Sequence, residues 1–256
     1  MLLAVDIGNT SVHIGLWDGE DLRVTWRLRT DVERLPDEYA ILLLGLLANA
    51  EIEPAAVHGC ALSSTVPLLT QTFLELVRRY FKVQPLVVGS GVRTGIRILY
   101  DNPRDVGPDR IIDAVAALKL YPPPPLVVVD CGTATVFDAV TRDGDYLGGA
   151  IAPGISLSAE ALFARASRLY RVELEKPKSA IGKNTPHAMQ SGIVLGYVGL
   201  VEGIVARFRQ ELGGDAKVIG TGGYAELIGR DSTVFDVINP DLTLIGLRLV
   251  YEMNRS

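Results

Sequence analysis

The same device occurs twice in this chain. "AVDIGNTSVHIGLWDGE" runs from Ala4 to Glu20 and "VVDCGTATVFDAVTRDG" from Val128 to Gly144. Each has an apolar run that reaches an Asp, a Gly two residues on, and small hydroxyl residues close behind. Each then resumes an apolar run that ends at an Asp-Gly turn. This is the pattern of strand, tight polar turn and strand. Two copies, half a chain apart, require a fold that contains the arrangement in both halves. With 256 residues, 48% of them hydrophobic, the chain can fill two cores.

The remaining punctuation fits two similar halves. Strands are expected at Leu2 to Ile7, Ser11 to Trp17 and Arg23 to Arg29. Pro36 opens a helix to about Ala50, Val57 to Leu62 reads as a strand, and Pro67 to Phe81 has helical periodicity. Pro85 to Val88 is strand-like, and Asp109 to Leu120 has helical spacing. The run Pro122 to Pro125 cannot continue a helix and is the expected joint. Strands then recur at Leu126 to Val129, Thr133 to Val140 and Tyr146 to Ile151. Helices follow at about Ser156 to Ser167 and Pro186 to Leu212, a strand at Lys217 to Ile219, and helices at Tyr224 to Ile228 and Leu242 to Asn254. The expectation is two α/β domains of related fold, residues 1–121 and 126–256, facing each other across a cleft.

Composition narrows the function. The formal net charge is -5 and the basic residues are scattered, which argues against nucleic acid or an anionic membrane as partner. Cys60 and Cys131 sit inside apolar runs without C-x-x-C spacing, as buried free thiols in a reduced compartment would. The first residues lack a basic segment before an apolar one, and Ile193 to Ala206 is too short and interrupted for a membrane span, so the expected location is cytoplasmic. His58 and His187 read as ordinary histidines.

A strand–turn–strand tip with Asp, Gly and hydroxyls suits phosphate. Gly allows close backbone approach, turn N–H groups bind phosphate oxygens, and a carboxylate at a strand end can hold Mg²⁺. A third Gly-rich turn, "GTGG" at Gly220 to Gly223, follows a strand and precedes a helix, where a flat nucleotide can lie against backbone. No Walker A sequence is present: Gly182-Lys183-Asn184 lacks the upstream Gly and the following hydroxyl residue.

The two Asp-x-Gly turns and the later Gly-Thr-Gly-Gly resemble the actin–hexokinase–Hsp70 superfamily, whose two domains are ribonuclease H-like. "DIGNT", "YDNPRDVGPDRIIDAVAA", "DCGTAT", "GGAIAPGISLS", "KNTPHAMQSG" and "GTGGYAEL", in order from Asp6 to Leu227, resemble type III pantothenate kinases more narrowly. That resemblance implies ATP-dependent phosphorylation of pantothenate to 4'-phosphopantothenate, the first step toward coenzyme A. It implies Mg²⁺ on Asp6, phosphates cradled by Asp6, Ile7, Gly8, Asn9, Thr10, Ser11, Val12 and His13 (the last through backbone), and Thr133 serving ATP from the second turn. A monovalent cation, K⁺ or NH₄⁺, falls to Asp130. Tyr100, Gly107, Pro108, Asp109, Arg110 and Thr185 are implied for pantothenate, with Asp109 as the base. Val136 departs from the pattern, where Thr is commoner.

Several of these residues have plainer readings that spacing leaves open. Asp109 stands where it could cap the helix that follows, and Thr185 where it could cap the long one. Arg110 would suit a surface ion pair, and Tyr100 a core aromatic. The family implies a homodimer with the threonine donated across it, and Gly192, Gly196, Gly199 and Gly203 form a small-residue face on the long helix that suits either dimer contact or packing on the sheet. The alternative functions are a sugar or acetate kinase of the same superfamily, and a regulatory ATPase with no second substrate.

Overall fold

The computed structural model describes residues 1–165 and 171–255. The chain forms two compact units, one of Met1–Gly95, Asn102–Ala116 and Leu242–Ser256, the other of Ile96–Asp101 and Ala117–Asp241.

The first unit is built on five strands, β1 (Leu2–Ile7), β2 (Ser11–Asp18), β3 (Asp21–Arg29), β4 (Gly59–Ser64) and β5 (Leu86–Val87), in the order β3-β2-β1-β4-β5. β1, β2 and β3 form an antiparallel meander, while β4 and β5 run parallel to β1. Strand alternation sends Leu3, Val5, Ile7, Val12, Ile14, Leu16, Cys60 and Leu62 to one face. There they pack with Tyr39, Leu43 and Leu47 of α1 (Pro36–Asn49) and Leu69, Phe73 and Leu76 of α2 (Pro67–Leu76). Each such side chain taken fully out of water contributes about 1.5–3 kcal/mol. Proline opens both helices, where a missing N–H costs nothing.

The other face of this sheet carries α7 (Leu242–Asn254), which packs on β1, β2 and β4. Close approach depends on glycine: a Cβ on Gly15 would lie 2.9 Å from Leu244 Cδ1, and one on Gly59 would overlap the Tyr251 hydroxyl. A Cβ on Gly246 would in turn overlap the Ile112 carbonyl of α3 (Pro108–Leu120). The last helix of the chain therefore joins the first unit, although it follows the proline run by more than a hundred residues in sequence.

The second unit repeats the plan. β6 (Leu126–Cys131), β7 (Ala134–Val140), β8 (Tyr146–Pro153), β9 (Lys217–Thr221) and β10 (Val237–Ile238) are ordered β10-β9-β6-β7-β8. The meander β6-β7-β8 is antiparallel, and β9 and β10 run parallel to β6 and β9 respectively. Read from the meander edge, the two sheets have the same connectivity, which accounts for the repeated stretch. Val127, Val129, Phe137 and Val218 pack with Val194, Tyr197, Val201 and Val205 of α5 (Thr185–Glu211) and with Ala225 and Ile228 of α6 (Ala225–Gly229). Ile155 of α4 (Ile155–Arg165) joins them; the end expected near Ser167 lies outside the described residues. β10 has no counterpart in the sequence reading, because two residues are too few to show a period. Cys60 and Cys131 are free and buried.

Candidate active site

In the first unit β1 and β2 pair from Leu2↔Trp17 to Ile7↔Val12, leaving Gly8, Asn9 and Thr10 as the tip. The Gly8 amide donates to the Ser11 carbonyl (3.1 Å) and closes it. Neighbouring residues brace its carbonyls. Thr30 Oγ1 donates to the Gly8 carbonyl (2.6 Å) and the Thr30 amide to that of Thr10 (3.0 Å), while the Thr65 amide and Oγ1 both donate to Ile7 (3.0 and 3.2 Å). Asn9 and Thr10 remain exposed. Thr30 and Thr65 were invisible as site residues in the sequence, since only tertiary pairing brings them to the turn. Asp6, one residue before the end of β1, stands opposite His13 on β2 and Ser63 on β4. Burial, aided by Arg27, lowers the His13 pKa to about 4, so its imidazole is neutral.

The second unit assembles a matching tip. Asp130 stands opposite Val136 on β7 and Thr221 on β9, so the departure at Val136 sets an apolar side chain beside this carboxylate. The Gly132 amide donates to the Ala134 carbonyl (3.0 Å), and Thr133 is exposed at the apex. Gly154 seals the tip from the side: its amide donates to the Thr133 carbonyl (2.9 Å), and a Cβ there would overlap the carbonyls of Gly132 and Thr133. The Gly-rich turn after β9 closes from the other side. Gly222 has φ +84°, and a Cβ on it would overlap Asp130 Oδ1 and lie 2.7 Å from the Cys131 backbone. The Tyr224 amide donates to the Cys131 carbonyl (3.0 Å). Asp130, Thr133 and Gly222 are thus brought together in one unit. Asp138, 2% exposed and accepting from the Tyr146 hydroxyl (2.6 Å), is a buried carboxylate that the sequence reading passed over; its signal was a charge inside an apolar strand.

The expected substrate segment is divided. Tyr100 belongs to the second unit, where its ring covers Gly148: a Cβ there would lie 3.3 Å from Tyr100 Cδ2 and Cε2. Gly107 to Arg110 belong to the first unit. There Pro108 is the first residue of α3 and the Ile111 amide reaches the Gly107 carbonyl (3.4 Å). Gly107 is therefore the cap position, and Asp109 is not: it is the second helical residue, and the capping role open to it in the sequence is taken. Its carboxylate turns back over Gly107, where a Cβ would overlap Oδ1. Asp109 Oδ1 is buried and accepts no hydrogen bond among the described residues. Burial raises the Asp109 carboxyl above the usual carboxylate range, opposed by the amide and charge of Arg110. Arg110 itself is 8% exposed, so a surface ion pair is not its setting.

Thr185 opens α5 but does not cap it. The cap is Asn184, whose Oδ1 accepts from the His187 amide (2.9 Å); Thr185 is exposed. His58 is exposed and His187 lies within reach of Asn184 Nδ2 (3.2 Å). The helix is longer than the apolar stretch suggested, 27 residues, enough by length and composition to cross a bilayer. Its face bearing Val194, Tyr197, Val201 and Val205 packs in the second core, as a core helix does. Gly192, Gly196 and Gly199 point the other way: they are exposed, and a Cβ on any of them would meet none of the described residues within 4 Å. Packing on the sheet does not explain these glycines.

A sequence profile described as type III pantothenate kinase matches residues 2–207. A type III pantothenate kinase of Dehalococcoides mccartyi (strain CBDB1) is 52% identical over 254 residues, 99% of this chain and 96% of that one. One of Roseiflexus sp. (strain RS-1) is 52% identical over 256 residues, the full length of both. Among solved structures, an inorganic polyphosphate/ATP-glucomannokinase from Arthrobacter sp. strain KM aligns with a TM-score of 0.52 at 13% identity, covering 99% of each chain, and shares the fold. Two sheets of one connectivity, each with an Asp-x-Gly tip, are the architecture of actin/hexokinase-like kinases. With half its residues shared across full-length relatives, the chain belongs to the type III pantothenate kinase family.

Proposed function

We propose that this protein transfers the γ-phosphoryl group of ATP to the terminal hydroxyl of pantothenate, the first step of coenzyme A biosynthesis. Beyond family membership, the observation that carries this reading is Asp109 Oδ1: a buried carboxylate oxygen with no hydrogen bond among the described residues, held at a helix start over a glycine. Such an oxygen is available to a substrate hydroxyl. The hydroxyl proton passes to Asp109 as its oxygen bonds the γ-phosphorus and the bond to the ADP oxygen breaks. Arg110 matches the pantothenate carboxylate, and Gly107 with Pro108 leaves room beside the base. Tyr100 contributes ring and hydroxyl to the same substrate.

Asp6, Ile7 and the turn Gly8 to His13 serve the ATP phosphates, as does Thr133. Mg²⁺ supplies charge neutralisation on the phosphates. It asks the protein for one or two carboxylates and takes its other ligands from phosphate and water, so a single Asp6 at a rigid strand end fits it. Asp130, its carboxylate held against Gly132 and Gly222, offers an anionic oxygen ligand to K⁺ or NH₄⁺. The exposed glycine face of α5 supports a homodimer in which Thr185 acts on pantothenate across the interface. Buried free thiols at Cys60 and Cys131 fit a cytoplasmic enzyme. The two sequence halves of the duplication, residues 1–121 and 126–256, carry one phosphate turn each, and α7 of the second half packs within the first unit.

The test is ADP release by purified protein with Mg²⁺ and K⁺, measured with pantothenate, with glucose, with acetate and with no acceptor. Release dependent on pantothenate supports the reading. Release without acceptor, or with glucose or acetate alone, overturns it.

A further inference from the structure

The face of the first sheet that looks away from α1 and α2 has a graded surface. Next to the tip, four residues in register form a row across four strands. Asp6 on β1 stands opposite His13 on β2 and Ser63 on β4, and His13 stands opposite Arg27 on β3. Directly opposed residues share a face, with Cβ atoms about 4.5–5.5 Å apart in an antiparallel pair. The adjacent row, two residues further from the tip, is Thr25, Gly15, Ala4 and Ala61, small side chains. Leu244 of α7 lies over Gly15 in that row, Tyr251 sits at Gly59 beyond it, and the Arg248 guanidinium stacks over Trp17 at 5.1 Å. The apolar part of this face thus carries a helix, and Asp6, His13, Ser63 and Arg27 form a polar row beyond it. Two of its members are buried, His13 at 7% exposure and Ser63 at 0%. Ser63 Oγ has no hydrogen-bond partner among the described residues, a hydroxyl withdrawn from bulk water.

We infer that His13 and Ser63 are positioning residues for Asp6, an outer row that orients its carboxylate and the water around a divalent cation held there. The inference rests on the reading of Asp6 as the Mg²⁺ carboxylate. A buried hydroxyl such as that of Ser63 is costly unless it has a partner. His13 faces Asp6 from the neighbouring strand as a directly opposed pair, the spacing at which an imidazole N–H can donate to a carboxylate. The Ser63 hydroxyl, on the strand at the other side, can accept from or donate to a water of the cation, since Mg²⁺ keeps several of its waters when bound. Groups that orient a ligand in this way affect metal affinity about 10–100-fold when removed. The side chain of His13 then has a role separate from the backbone contact that its place after the turn suggests.

The test measures binding of Mn²⁺ with a non-hydrolysable ATP analogue by electron paramagnetic resonance, which reads affinity and ligand symmetry without turnover. His13→Leu and Ser63→Ala should each weaken Mn²⁺ binding about 10–100-fold. Of His13→Asn and His13→Gln, which place an amide N–H at the reach of Nδ1 and Nε2 respectively, one should restore most of the affinity at an unchanged melting temperature. Wild-type affinity in His13→Leu, or equal loss in both amide variants, overturns the assignment. Should the leucine variant fail to fold, the amide pair carries the test alone by the same criterion. Asp6→Asn separates the two levels. If it leaves Mn²⁺ affinity intact, the metal role of Asp6 fails and this inference with it; if it abolishes binding while His13→Leu does not, only the inference fails.

Discussion

Asp109→Asn changes activity and stability in opposite directions. The side chain is nearly isosteric, so Gly107 still accommodates it, and the cap of α3 is untouched because Gly107 occupies that position. Loss of the proton acceptor should lower kcat by about 10²–10⁴-fold, equivalent to about 2.7–5.4 kcal/mol of transition-state stabilisation. The same change removes a charge whose burial is unfavourable. A carboxylate in the first turn gains about 0.3–1 kcal/mol from the helix start. The Asp109 pKa is nevertheless raised, with desolvation as its largest cause, so burial outweighs that gain and the charge of Arg110 together. A group whose folded pKa is raised contributes stability that is present below its unfolded pKa and lost as pH rises through the folded value. Wild type should therefore lose stability relative to Asp109→Asn as pH rises from about 4. The variant should melt higher at pH 7, with the gap closing toward pH 4. The acid limb of wild-type kcat/KM should sit above the ordinary carboxylate range. Steady-state kinetics and calorimetric melts across pH check both claims. Near-normal turnover in a folded variant refutes the base; a lower melting temperature at neutral pH refutes the energetics.

Gly222→Ala should cost about 2–5 kcal/mol in guanidinium unfolding, the sum of about 1–2 for left-handed backbone and about 1–3 for overlap with Asp130 and Cys131; a loss below about 1 kcal/mol would mean the turn relaxes freely. Asp130→Asn should erase the rate difference between K⁺ and Na⁺ buffers, and a difference that survives places the monovalent cation elsewhere. Gly196→Leu with Gly199→Leu should halve the mass seen by light scattering without loss of helix, because neither Cβ meets any of the described residues within 4 Å and leucine is the better helix former by up to about 1 kcal/mol per site. An intact dimer in that double variant removes α5 from the interface.

The duplication was legible in the sequence because it is local. An apolar run, an Asp-x-Gly turn and a second apolar run are each set by neighbours within a few residues, so both meanders and most helices fall where alternation and proline place them. Asp6, Asp130 and Thr133 could be picked out for the same reason, as each is marked by its own turn. What lies far apart in sequence could not be read. Thr30 and Thr65 brace the first tip without a sequence signal, because each is an ordinary residue until the sheet forms; Gly154 and Gly222 lie in stretches the sequence marks, but their closure over the second tip depends on tertiary pairing. The cap of α3 moved from Asp109 to Gly107 through a two-residue difference in where the helix starts, which periodicity does not resolve. The outward direction of the α5 glycines depended on which face met the second core. The assignment of α7 to the first unit was decided by glycines at 15, 59 and 246, which let a helix from the end of the chain settle on strands from its beginning. Local patterns determined the elements and the chemistry at their tips; burial, which sums contacts over the whole chain, decided which elements share a core and which side chains meet.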